Sequence, residues 1–325
     1  MATREQLIER ERRWALPTAI ATMAAIALLI ASTVVLAGVS GDGEAEFLRS
    51  ADEDSGSVTI SSILSAAGFI LLIAPLLYLF RAAVGRSSQM RGQLIGVVVA
   101  APLFMAASGA LTGVVTTDAA SDFVAGRSEP DLTRIDVAPD CRGEREDLGG
   151  EAFREEYGGG PGGGGELEAC VATKLDDDAA QAALDDSPLR SLTLGLGFGG
   201  RLGLAVTLVY TCLHAMRVGL LSRFWGSLGM ALGVASFLIL QFTLIWFIYL
   251  GLLIAGWVPG GRPPAWVAGE AVPWPAPGEG RPPAGDETVA GTGRPLEEDE
   301  PDATSQDPAN PPRARGERRK RKRRG

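Results

Sequence analysis

Long apolar runs separated by charged segments dominate the pattern along this chain. The first run is Trp14 to Val39, the second Val58 to Phe80, the third Gly92 to Val115 and the fourth Leu192 to Met216. Each supplies the roughly 20 mostly apolar residues with which a helix crosses about 30 Å of hydrocarbon, where every backbone amide must be bonded within its own segment. Pro75 predicts a kink in the second, and the third contains Pro102. The first run follows the charged start MATREQLIERERR. It is too long for the core of a cleaved signal peptide and carries no lipobox cysteine, so it reads as an uncleaved anchor.

The last apolar block, Trp225 to Val258, has two readings. Its 34 residues would make a single helix about 50 Å long, well beyond the hydrocarbon thickness. Folded as a hairpin it gives two spans of about 17 residues, at the short end of the range. Gln241 and Thr243 lie at its midpoint, which a single helix would bury in the bilayer centre. A hairpin would instead place Phe242 and Trp246 near an interface, where aromatic residues are enriched. The expected fold is therefore an all-α, polytopic transmembrane bundle of six spans, with five as the alternative.

Charge gives the orientation. Arg4, Arg10, Arg12 and Arg13 precede the first run, Arg81, Arg86 and Arg91 follow the second, and Arg217 and Arg223 follow the fourth. The segment from Ser40 to Ser57 instead holds six acids against Arg49, and Thr117 to Arg190 holds nineteen acids against seven bases. Lys and Arg mark cytoplasmic loops. The chain thus divides into a charged cytoplasmic start (1–13), three spans (14–116), an acidic extracytoplasmic segment (117–190), the remaining spans (191–258) and a cytoplasmic tail (259–325). Such a protein belongs in a cell membrane, with both termini on the cytoplasmic side. The net charge of −9 averages over unlike parts and predicts no partner.

In the outer segment, GGGPGGGG at 158–165 has neither the Lys-Ser/Thr of a phosphate loop nor a preceding strand, and reads as a flexible spacer. Cys141 and Cys170 lie on the same, more oxidising side. A disulfide between them would contribute roughly 3.5 kcal/mol in the chain-entropy treatment; the alternative is two unpaired thiols. The acids Asp176, Asp177, Asp178, Asp185 and Asp186 lack the spacing, glycine and closing glutamate of a calcium loop, and read as a solvated acidic helix. Cys212, inside the fourth run, reads as a small apolar packing residue.

Arg201 is the ionisable residue that falls clearly inside an apolar block. It either snorkels to the interface or contacts an anion or lipid headgroup within the bundle. His214, near the end of the same run, reads as interfacial, since no run supplies the acidic partners of a proton relay. Glycines recur at Gly195, Gly197, Gly199, Gly200 and Gly203 and at Gly226, Gly229 and Gly233. Such spacing permits close helix approach, within the chain or in a homo- or hetero-oligomer. With one histidine and three cysteines, and no paired carboxylates or Ser/His pair in the runs, the chain predicts no catalytic residue, metal site or cofactor.

Thirteen of the twenty prolines fall after Val258, so the tail predicts disorder. It ends in RARGERRKRKRRG, whose Arg318, Arg319, Lys320, Arg321, Lys322, Arg323 and Arg324 form a dense basic cluster. Anionic lipid headgroups are its expected partner, at about 1 kcal/mol per basic residue. The same charge could hold nucleic acid, but only without sequence preference.

The run AMRVGLLSRFWGSLGMALGV (Ala215–Val234), followed by GGRPPAW and GEAVPWP, resembles an uncharacterised family of actinobacterial multi-pass membrane proteins. The resemblance covers roughly Leu202 to Pro275 and excludes the glycine-rich outer loop and the basic tail. It implies a short hairpin of two spans before the Trp- and Pro-rich motif, hence six spans, and it implies no activity. The expected function is structural or regulatory and non-enzymatic. A small-solute or lipid transporter or channel is the alternative, with a polar cavity at Arg201 lined by the glycine-rich helices.

Overall fold

In the computed structural model the described residues are 4–39, 41, 43–87, 89–126, 137–148, 157, 165–237, 240–258 and 261–274. They form helices, with no strand among them. Four are long and apolar enough to cross a membrane: α1 (Arg4–Ala37), α3 (Ser55–Arg86), α4 (Ile95–Val124, entered by a 3-10 turn at Gly92–Leu94) and α7 (Arg190–Arg217). The others are α2 (Glu44–Glu53), α5 (Val137–Leu148), α6 (Glu166–Asp186), α8 (Arg223–Ala235), α9 (Leu240–Ala255) and α10 (Pro264–Ala268).

The six apolar helices close into a ring. α1 packs on α3, α3 on α4, α4 on α7, α7 on α8, α8 on α9, and α9 back on α1, with α3 also touching α7 across the middle. One core fills the interior, drawing Leu72, Leu76 and Leu79 from α3, Leu204 and Leu208 from α7, and Trp246, Phe247 and Leu250 from α9. The outward faces are apolar as well. Leu16, Ile20, Ile63, Ile70, Leu103, Phe104, Leu194, Phe198, Phe242 and Ile245 are all exposed. Water does not tolerate so large an apolar surface, and a bilayer covers it without penalty.

The two ends of the ring differ in charge. Arg4, Arg10, Arg81, Arg91, Arg217 and Arg223 gather at one, the basic end, while α2 and α6 with their carboxylates sit at the other, the acidic end. At the acidic end a second core joins Leu48 and Ala51 of α2, Ala119 and Ala120 of α4, and Ala180 and Ala183 of α6.

The block Trp225–Val258 holds two helices that pack on one another, as the hairpin reading expects, and the second ends near the basic end. Other expectations change. α1 starts at Arg4, because Glu9, Arg10, Glu11 and Arg13 are good helix formers continuous with the apolar run. Residues 40–57 are not merely a loop, since their apolar positions Leu48 and Ala51 build one face of α2. The acidic helix α6 is not merely solvated: Ala180 and Ala183 make it a lid on α2 and α4. Trp246 is fully buried, whereas Phe242 is exposed. Its indole donates to the Trp225 carbonyl (3.0 Å), and Gly229 makes room for it, a Cβ there falling 2.7 Å from the indole nitrogen. Finally, part of the tail is ordered: Pro264–Ala268 is a helix, and residues 259–260 lie outside the described ones. Residues 261–274 pack against the basic end, while 275–325 lie outside the described residues.

Candidate functional site

Tyr78, Ala82 and Arg86 stand four residues apart on one face of α3, so their side chains stack along the helix toward the basic end. Arg86 is a charge whose side chain is fully buried. Its guanidinium grips both carboxylate oxygens of Glu11 on α1, at 2.5 and 2.8 Å. It also donates to the carbonyls of Ala82 (3.0 Å) and Ala265 (3.1 Å), and it lies 5.6 Å from the Trp266 ring centroid. Removing two such charges from water costs several kcal/mol each, so burial is tolerable only with this full complement of bonds. The planar fork of arginine supplies it where lysine could not.

Tyr78 completes the cluster. Its hydroxyl donates to the Glu11 backbone carbonyl (3.0 Å) and its ring stacks on Trp266 at 5.7 Å. The segment 261–274 is the strap that seals it. Pro264 begins α10, which buries Ala265 and Trp266. The Trp266 indole donates to the Leu220 carbonyl (2.9 Å) and the Trp274 indole to that of Leu221 (2.8 Å). Val272 N donates to Val218 (3.1 Å), close against Gly219, whose φ of 81° admits the turn. The strap thereby ties the ends of α1 and α3 to the α7–α8 turn. Arg86 had counted only as a topology charge, and Glu11, Tyr78 and Trp266 carried no local sign of a shared site. The traceable hint was the eight-residue, two-turn spacing of Tyr78 and Arg86, together with two tryptophans in a Pro-rich segment.

Arg201 does not join a polar site. It is exposed on the outer face of α7 beside Phe198 and Leu202, and donates a long bond (3.4 Å) to the Phe237 carbonyl where α8 ends. A cation at the unpaired carbonyls of a helix C-terminus is a favourable placement. The glycines meant for a cavity or a partner are filled from within: Gly200 meets Met105, Gly203 meets Ala101, Gly226 meets Met216 and Gly233 meets Leu208. Gly195 alone of that set has open space. His214 is buried with its ring 4.6 Å from Tyr210.

At the acidic end Cys141 and Cys170 are joined, with Cα atoms 6.1 Å apart, linking α5 to α6. Cys212 is buried and free. Glu144 pairs with Lys174 (2.7 Å) and accepts from the Tyr157 hydroxyl (2.9 Å). These bonds, Lys174 foremost, hold its carboxyl below the usual range. Asp177 accepts from Ala45 N (2.9 Å) and so caps the start of α2, whose own N-cap, Gly43, has no side chain to do it. Asp176 pairs with Arg49 (2.7 Å) and Asp185 with Arg190 (3.0 Å). These acids are structural partners of neighbouring helices. Among the described residues no group of three or more His, Cys, Asp or Glu could hold a metal ion. The basic cluster Arg318–Arg324 lies outside the described residues. Comparison of the chain with family models, with curated proteins and with solved structures gives no match.

Proposed function

We propose that this chain is an integral, multi-pass protein of a bacterial inner membrane, with six crossings and both termini in the cytoplasm, and that its role is structural or regulatory rather than catalytic. The observation that carries the reading is the ring itself: apolar outside, filled inside, and basic at one end and acidic at the other. The basic end faces the cytoplasm, by the rule that Lys and Arg stay inside. The Cys141–Cys170 bond supports an oxidising compartment for the acidic end.

The hairpin α8–α9 counts as two short crossings. Its 13 and 16 residues reach only about 20 and 24 Å. Arg201 lies nine residues, about 14 Å, into the α7 apolar run that begins at Leu192. Its guanidinium donates to the Phe237 carbonyl at the hairpin tip. With the glycine-rich turns before it at the outer interface, its long side chain snorkels outward. The tip's carbonyls are thus served where the hairpin falls short. The transport alternative loses support, because Arg201 points away from the core and the glycine faces are packed. The basic cluster Arg318–Arg324 of the tail has anionic headgroups as its partner.

The test is a reporter that is active only outside the cytoplasm, inserted at 158–165 or fused after Gly325 in the full chain. Activity from the first and none from the second is expected, with the protein retained in carbonate-washed membranes. The reverse pattern, or release by carbonate, contradicts the proposal.

A further inference from the structure

Beside the buried cluster, on its outer flank, a half-open cleft of about 240 Å³ separates α1 from α3 at the basic end. By their order along the two helices Arg10 and Arg81 lie at its outer end, the mouth, Trp14 and Leu77 beyond them, and Thr18 and Ala74 deepest, as its floor; Glu11 and Tyr78 of the buried cluster also line it. From mouth to floor it runs eight residues along α1 and seven along α3, about 10–12 Å. Its polarity falls along that path, from two guanidinium groups to apolar side chains.

The charge at the mouth is uncompensated. Of the two carboxylates that flank Arg10 in sequence, Glu11 pairs with Arg86 and Glu9 with Arg13. Arg10 and Arg81 are exposed and have no ion-pair partner among the described residues. Two free cations above an apolar slot, with a tryptophan at the rim, match the gradient of a lipid at the boundary between headgroup and acyl chain. The volume is below the roughly 300–1,000 Å³ of sites that enclose a whole small molecule. It suits a phosphate-bearing headgroup and the first part of one chain, with the rest left in the bilayer.

Resting on the membrane placement above, we infer that this cleft is a binding site for one anionic phospholipid of the inner leaflet. Arg10 and Arg81 hold the phosphate, and the chain descends between Trp14 and Leu77. The lipid bridges α1 and α3 on the open flank, as Glu11–Arg86 bridges them on the closed one. This site is distinct in sequence from the basic cluster Arg318–Arg324.

Native mass spectrometry of the full chain in detergent, titrated with phosphatidylglycerol or with phosphatidylcholine of the same acyl chains, tests it. One phosphatidylglycerol should be retained in preference to phosphatidylcholine. The double variant Arg10→Gln/Arg81→Gln should weaken that retention about thirty-fold, and Ala74→Trp, which blocks the floor and leaves the charge, should weaken it too. Neutralising Arg318–Arg324 should leave the single tight lipid in place. Equal retention of both lipids, or undiminished phosphatidylglycerol binding in the double variant, overturns the inference. If the protein nevertheless stays in carbonate-washed membranes, the lipid site alone has failed; release by carbonate refutes the membrane placement itself.

Discussion

Arg86 shows how a single residue can be read correctly for one property and missed for another. Its charge marks one end of the bundle from sequence alone. Its burial depends on Glu11, 75 positions away, and on Ala265, 179 positions away, and no local pattern encodes such partners. Arg86→Ala leaves the Glu11 carboxylate without its main partner, and the expected loss is about 3–5 kcal/mol of stability. Arg86→Lys should recover only part of it, because one ammonium cannot serve both carboxylate oxygens and the Ala265 carbonyl. Thermal unfolding in detergent reads both, and an unchanged midpoint for Arg86→Ala would refute the lock.

Glycines give a second contrast at this scale. A Cβ at Gly229 would fall 2.6 Å from the Cys212 sulfur, so Gly229→Ala should cost about 1–3 kcal/mol. At Gly195 a Cβ meets nothing within 4 Å, and Gly195→Ala should be neutral or stabilising by up to about 1 kcal/mol. The same unfolding assay separates them. Equal effects would mean that the α8 glycines are not contact points.

Elements were legible to the extent that they are apolar and long. The four long candidate spans follow from hydropathy because lipid demands about 20 residues of it. Their ends do not, since α1 and α4 continue as helices into charged or polar sequence. α2 escaped, and α6 was legible as an acidic helix but not as a packed one, because their apolar faces are short and made largely of alanine, and each needs the other to be buried. The strap escaped for the opposite reason: proline and glycine suggested disorder, but two indoles find free carbonyls at Leu220 and Leu221. Trp266→Ala should therefore cost about 3–5 kcal/mol and increase deuterium uptake across 261–274. Unaltered uptake there would show that the strap is held otherwise.

The disulfide ties α5 to α6, whose other face is held by α2 and α4. Reducing Cys141–Cys170 should therefore loosen α5, by roughly 3.5 kcal/mol in the chain-entropy treatment, with α6 still docked and the ring's unfolding midpoint unchanged. The acid response of α5 follows from Glu144, whose folded carboxyl lies below the ordinary value of 4.5. The ionised form is favoured in the fold, so its contribution is present above that value and lost as pH falls through the lower, folded one. The stability difference between wild type and Glu144→Gln should therefore be visible at about pH 7 and shrink as the pH falls below the ordinary carboxylate range. A difference that grows on acidification would contradict the pairing.

At the scale of the whole molecule, alternating charge predicts which ends belong together, and the ring has the matching geometry. What the sequence left open was how α9 returns, and the strap gives the reason: it joins the segment after α9 to the start of α1 and the end of α3. The central claim is that this sealed basic end faces the cytoplasm and the α2–α6 lid faces outward. Labelling with a membrane-impermeant maleimide tests it most directly, using Glu53→Cys on α2 and Val267→Cys on the strap, both at exposed positions. In intact cells the Glu53→Cys protein should label and the Val267→Cys protein should not, with the pattern reversed in inverted vesicles. Labelling of the Val267→Cys protein in intact cells would contradict the account.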